Sequence, residues 1–406
     1  MTVETGISLE RAAELIRASV KPVDVERIPA CEALGRVLAE DIHAPIDQPP
    51  FPRSPLDGYA FRAVDSAGAS RETPVCLTVC GVLYAGDWRE EEVPAGQAVR
   101  IMTGAPIPPG CDCVIRQEDT DEGAETVQIY CELKPWENYC FRGEDYKEGD
   151  VLLPAGSYLG GAGMGVLASA GLCRAGVAVA VRRKLKVALL CTGDELVESE
   201  VNPLPKGKIY SSNQVLLESR LRELGVEVVS LSAEDDPERV ADAIREAAGH
   251  VDTMITTGGV SVGAKDIFHQ VFPLLDAERV FWRVRLKPGT PLMFSIYNGT
   301  PILSLSGNPF AAAATFELLG RPLLAALAGK PALLPQRVKA ELGTAFPKGG
   351  NVRRFVRGCL TDGVVTLPEG HSSGQLRSTV GTNCLVELEA GRGPVKAGET
   401  VTVHIL

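Results

Sequence analysis

Apolar positions recur at two spacings along the chain, and the change from one to the other divides it. Leu9, Ala12, Leu15 and Ile16 fall on one helical face behind Ser8, a residue type that caps helix N-termini, so an amphipathic helix is predicted over 8–19. A second helix is predicted over 29–39. Residues 47–56 carry four prolines, whose fixed φ and missing N–H exclude a helix, and a linker is expected to run extended into Asp57-Gly58-Tyr59-Ala60. Short alternating runs follow at 75–82, 98–102, 113–117 and 126–133, bounded by Gly, Pro and Asp, which read as a small β domain. Residues 145–181 return to small helix-forming residues, so that β domain reads as an insertion into a split helical one.

From Lys184 the pattern becomes strand, loop, helix in repetition: 185–190, 211–224, 226–231, 237–248, 251–256, 266–274, 279–286, 301–305 and 308–328. Such alternation requires crossover connections and predicts a doubly wound, mostly parallel α/β sheet covered on both faces. The remainder is strand-like at 364–367, 384–389 and 400–406. The expected domains are 1–46 with 145–181, 47–144, 182–330 and 331–406.

Composition narrows the function. A chain of 406 residues is too long for one core, and 45% hydrophobic residues are too many for a disordered chain. With 52 acidic against 41 basic residues the net charge is −11, which excludes a nucleic-acid binder that coats phosphates with a basic face. Cysteine is an odd 11 without a Cys-x-x-Cys pair, so neither a disulfide framework nor a zinc site is signalled, and Cys111-Asp112-Cys113 reads as part of a short strand. Glu4, Glu10, Arg11, Glu14 and Arg17 break any secretory signal, and a cytoplasmic protein is expected. The uncharged stretch 151–173 is long enough to span a bilayer, but Pro154, two serines and six glycines make it too polar, and no membrane is expected.

In an open parallel sheet, ligands bind beyond the carboxyl ends of the strands, so the loops there are read together. They are Thr192-Gly193-Asp194-Glu195, Glu234-Asp235-Asp236, the run from Thr256 through Gly258, Gly259 and Ser261 to Asp266, Lys287-Pro288-Gly289-Thr290-Pro291, and Ser306-Gly307-Asn308-Pro309. Glycines and hydroxyls let backbone N–H groups approach an oxyanion, while Asp194, Glu195, Asp235 and Asp266 offer hard oxygen donors suited to Mg2+. Taken singly, each loop reads as turn and cap chemistry; together they point to a metal-bridged phosphate ester. The five histidines have no triad context and Ser306-Gly307-Asn308 is not a nucleophile elbow, so a side-chain nucleophile is not expected.

Seven motifs in order carry a resemblance: Ser54-Pro55-Leu56-Asp57-Gly58-Tyr59-Ala60, Arg100-Ile101-Met102-Thr103-Gly104-Ala105-Pro106, Arg142-Gly143-Glu144-Asp145, Thr192-Gly193-Asp194-Glu195-Leu196, Gly258-Gly259-Val260-Ser261-Val262-Gly263, Lys287-Pro288-Gly289 and Gly307-Asn308-Pro309. From about residue 7 to the C-terminus the chain resembles the molybdopterin molybdenumtransferases, the MoeA family, which includes the E domain of gephyrin. The resemblance implies a split helical domain with an inserted β domain, a central molybdopterin-binding-like α/β domain and a small, barrel-like C-terminal β domain, in a homodimer. It implies a Mg2+-dependent reaction in which adenylylated molybdopterin is cleaved, molybdate is inserted, and molybdenum cofactor and AMP are released.

Carried over by motif, the catalytic residues are Asp57, Thr103, Asp145, Glu195, Asp235 and Asp266, of which Glu195, Asp235 and Asp266 take the metal. The binding residues are Thr192, Gly193, Gly258, Gly259, Ser261, Arg283, Lys287, Pro288, Gly307, Asn308, Arg357 and Ser373. Thr290 and Ala311 stand where many relatives have a lysine and a serine, which opens tungstate as an alternative to molybdate. Two other readings are a gephyrin-like scaffold and a molybdopterin adenylyltransferase acting one step earlier.

Overall fold

The computed structural model describes residues 3–260 and 267–406. The chain forms two compact units: Met1–Ile28 with Gly35–Ala39 and Ala180–Leu406, and Pro29–Leu34 with Glu40–Val179.

The larger unit is built on a seven-stranded sheet in the order Glu4–Ile7, Glu278–Val284, Met293–Tyr297, Thr300–Leu305, Thr253–Thr257, Lys186–Thr192, Glu227–Ala233. All pairings are parallel except those of Met293–Tyr297, which runs against both neighbours. That strand was not predicted. Its insertion leaves the carboxyl ends of the other six on one edge of the sheet. Lys186–Thr192 is apolar on both faces because both are covered. Val187, Leu189 and Cys191 pack with Leu9, Ala12, Ile16, Leu217, Leu221 and Phe310, whereas Ala188 and Leu190 pack with Val240, Ile244, Phe268 and Phe272. The Leu9–Ser19 helix is capped as predicted, with Ser8 Oγ accepting from Arg11 N at 3.1 Å.

Among the described residues one helical stretch, Pro309–Ala328, is long and apolar enough to cross a membrane, and 83% of its most apolar window is buried within the protein. It is a core helix, widened by a π turn at Phe316–Gly320, where buried Glu317 pairs with Arg220 and Arg321.

The C-terminal strands close into a small barrel. Arg353–Thr361 pairs with Val364–Thr366 on one side and Cys384–Leu388 on the other, and Arg337–Leu342 with Thr400–Ile405 completes the ring. Val356, Val365, Val386, Val401 and Val403 fill it. Leu286–Lys287, just beyond the Glu278–Val284 strand, adds in parallel to Arg353–Arg354, so Lys287 is held between sheet and barrel.

In the smaller unit, Cys113–Arg116, Gly58–Phe61, Gln97–Ile101, Val75–Leu83 and Thr126–Ile129 form a five-stranded sheet in that order. Cys111 and Cys113 are buried free thiols, and burial pushes Cys111 up to about 12. The proline-rich run is a bridged strap rather than a free linker: Gln48 bridges Tyr146, and Arg53 bridges both Pro106 and Cys140.

The helix predicted over 29–39 is absent. Only the 3-10 turn Ala30–Glu32 forms, and beyond it Leu38 bridges Val181, Arg182 N donates to Val37 O and Ala39 N to Ala180 O, so the backbone groups a helix would need are committed to a ladder.

Candidate active site

Two features share the carboxyl edge of the large sheet. The first lies after Lys186–Thr192 and Glu227–Ala233, where Asp194 and Asp235 face each other in reciprocal bonds: Asp194 N donates to Asp235 Oδ2 at 3.4 Å, and Asp235 N to Asp194 Oδ1 at 3.2 Å. Asp235 Oδ1 is buried without a partner, as is Thr192 Oγ1. Burial, then the Asp194 and Glu195 charges, raise the Asp235 carboxyl above its ordinary value, opposed by the Asp194 N–H and by the nearby Thr192 hydroxyl, whose approach falls short of hydrogen-bond geometry. The backbone here is tightly constrained: Gly258 has φ 101°, and a Cβ there would lie 2.5 Å from Thr192 O. Asn213 Nδ2 donates to Gly307 O at 2.8 Å, joining the loop after Thr300–Leu305 to the Ser212–Glu223 helix. A cavity of about 630 Å3 opens beside Asp194, with Lys208, Ser211, Glu198 and Arg239 in its walls.

Among the described residues no group of three or more His, Cys, Asp or Glu side chains is placed to hold a metal ion. Two carboxylates with one orphaned oxygen nevertheless fit Mg2+, which keeps few protein ligands and completes its shell with water and substrate phosphate. Glu195 is exposed and its carboxylate folds back over Gly193, where a Cβ would lie 2.9 Å from Oε2. Ser261 and Asp266 lie outside the described residues. Sequence reasoning counted Asp194 among the possible Mg2+ donors but not among the residues carried over by motif; its adjacency to Glu195 hid the fact that the chain turns it toward Asp235.

The second feature is a cavity of about 310 Å3 between sheet and barrel. Lys287, Ser306, Asn308, Arg354, His371 and Ser373 line it, and no carboxylate does so among the described residues. Gly289, at φ 92°, lets the loop pass the core helix: a Cβ there would sit 2.3 Å from Thr315 Cγ2. Thr290 Oγ1 donates to Leu286 O at 2.5 Å, so this hydroxyl serves its own turn.

Arg357 lies outside the wall. It is buried, stands 3.7 Å over the Phe310 ring and donates to Ser372 O at 2.7 Å and to Gln375 O, bracing the loop that carries Ser373. Burial without an acidic partner pulls it down to about 10. Arg283 is exposed over Trp282 and is likewise absent from the cavity wall. Arg354 and His371 were missed because their recruitment depends on barrel closure, which no local pattern encodes.

In the smaller unit, Thr103 donates to Asp57 Oδ1 from both its N–H and its hydroxyl, each at 2.7 Å, and these bonds, the amide first, lower the Asp57 carboxyl. Asp145 is exposed on the segment bridged to the strap, its N–H donating to Gln48 O at 2.9 Å. The strap thus gathers the segments bearing Asp57, Thr103 and Asp145 into one unit.

A multidomain protein with a ligand-binding α/β sheet at its centre is the class these features define. Residues 188–326 match the family described as "Probable molybdopterin binding domain", residues 7–171 the MoeA N-terminal region (domain I and II), and residues 339–406 the MoeA C-terminal region (domain IV). The chain belongs to the MoeA family. It is 36% identical over 410 residues to a molybdopterin molybdenumtransferase of Staphylococcus epidermidis, covering 99% of this chain and 97% of that one. It is 36% identical over 377 residues to one of Staphylococcus aureus, covering 92% and 89%. The molybdopterin biosynthesis moeA protein of Pyrococcus horikoshii OT3 superposes with a TM-score of 0.85 at 29% identity, covering 98% of this chain and all of that one.

Proposed function

We propose that this chain is a molybdopterin molybdenumtransferase that inserts molybdate into adenylylated molybdopterin and releases AMP. The observation that carries this reading is the cationic cavity around Lys287, lined by no carboxylate among the described residues, on the same sheet edge as the Asp194–Asp235 pair. A dianion needs fixed charge and hydroxyl donors to repay its lost hydration, and Lys287, Arg354, Ser306 and Ser373 supply them. A phosphate ester needs the opposite, a cation held by carboxylates. Asp235 and Asp194 would hold Mg2+, which when bound neutralises pyrophosphate oxygens and polarises the bond to be cleaved. Around it, the glycines at 193, 258 and 307 let main-chain groups approach the substrate closely, and Asn213 fixes the 307 loop. In the smaller unit, Asp57 is held ionised by Thr103 and is offered as an acidic residue of the reaction by its motif alone. A homodimer working in the cytoplasm completes the reading.

The test is incubation with adenylylated molybdopterin, Mg2+ and molybdate, following AMP. Release of AMP together with metal insertion is expected. Consumption of ATP with unmodified molybdopterin would instead assign the chain to the preceding adenylylation, and neither activity would leave a scaffold.

A further inference from the structure

The mechanism above makes no use of His371. It sits in the loop after Val364–Thr366, lines the cavity around Lys287, and meets Phe346 edge-on at 5.3 Å between ring centroids. Its Nδ1 is buried and has no hydrogen-bond partner. A proton on that nitrogen would be stranded, so the neutral ring carries its proton on Nε2 and keeps a free donor there. Among the described residues the charged groups that act on it are cations, Lys348 and, on the barrel strand, Arg357, and Lys287 and Arg354 line the same cavity. Burial first, then Arg357 and Lys348, hold the imidazole below its ordinary value, so it stays neutral at pH 7. A half-buried histidine with one nitrogen sealed, no carboxylate beside it and cations around it is a poor stabiliser of the empty protein. It is well suited to an anion.

We propose that His371 is a direct contact to the oxyanion substrate, donating Nε2–H into a cavity where Thr290, turned to its own backbone, donates nothing. This rests on the reading of the Lys287 cavity as the oxyanion site. It adds to that site a donor that is present before the anion arrives.

The experiment titrates tungstate and molybdate into the wild-type protein and into His371→Phe, His371→Gln and Lys287→Ala, with thermal melts to check folding. His371→Phe keeps the ring volume and removes the donor; a loss of about ten-fold in oxyanion affinity is expected. His371→Gln, which restores an N–H, should recover part of it. With 15N-histidine labelling, the wild-type spectrum should show a neutral Nε2–H tautomer at pH 7 whose Nε2 signal moves when tungstate is added. If Lys287→Ala weakens binding while both His371 variants bind as wild type and the Nε2 signal stays still, the inference is overturned and the site stands. If Lys287→Ala also binds as wild type, the oxyanion lies elsewhere and both readings fall.

Discussion

Asp235 holds a charge in a place that disfavours it. Its carboxyl is raised by burial and by two neighbouring acids, so ionising it costs more in the folded protein than in the unfolded chain. A raised acid contributes stability below its unfolded pKa and loses it as pH rises through the folded value, so at neutral pH the ionised side chain weakens the fold. Asp235→Asn should therefore raise the melting midpoint of the metal-free protein while abolishing Mg2+-dependent AMP release. Mg2+ should raise the midpoint of the wild type and not of the variant, because only a ligand bound to the folded state stabilises it. A variant that melts lower, or that still responds to Mg2+, would remove Asp235 from the metal site. At this scale the sequence was readable where a residue's place follows directly from a strand end, as for Asp235 and Lys287 at the carboxyl edge of the sheet. It was not readable where one residue type serves two roles: Arg357 braces a loop through carbonyls, whereas Arg354, three residues earlier, faces the cavity.

Elements follow the same division. The strands and helices of the α/β sheet were legible because their apolar periodicity is strong, and the Pro237–Ala247 helix keeps Val240, Ala241 and Ile244 on one buried face. Arg337–Leu342 and Arg353–Thr361 were missed because arginines, a lysine and a glycine interrupt their apolar signal; only barrel closure brings Arg337 and Arg353 into contact with Glu387. Glu387 is the centre of that closure. It lies on Cys384–Leu388 with 5% exposure and accepts from Arg353 Nε at 2.6 Å, lies 2.7 Å from His404 Nε2 and 3.1 Å from Arg337, so that four strands converge on one carboxylate. Burial alone would raise it, but His404 and Arg353 override this and bring it to about 2. The stability it contributes is present above its ordinary value of 4.5 and is lost as pH falls toward 2. Glu387→Gln should destabilise the protein by about 3 kcal/mol at pH 7, since it leaves the partly buried Arg353 without its charged partner, and should flatten the acid limb of the melting-point profile. An unchanged acid limb would show that other carboxylates govern acid unfolding.

For the whole molecule, the order of the seven motifs was legible and implied the family. Local pattern, however, did not reveal that the sheet edge and the barrel together enclose a cation-lined space. That arrangement places two opposite chemistries at two stations on one edge, an acidic one at Asp194 and Asp235 and a cationic one at Lys287 and Ser373. If they serve separate parts of the substrate set, mutations should separate them. Ser373→Phe puts a ring into a cavity of about 310 Å3 while keeping the carbonyl that accepts from Phe310 N, so it should exclude the oxyanion without moving the loop. Its expected signature is a molybdate requirement raised at least about ten-fold with binding of adenylylated molybdopterin retained, because only the interaction with the second substrate is removed. Asp235→Asn should do the reverse, leaving tungstate affinity intact and stopping AMP release. Measuring tungstate binding, nucleotide-substrate binding and AMP release on both variants decides the matter. If Ser373→Phe loses the adenylylated substrate as well, or Asp235→Asn loses tungstate, then the two stations form one pocket and the division of labour argued from their opposite charge is wrong.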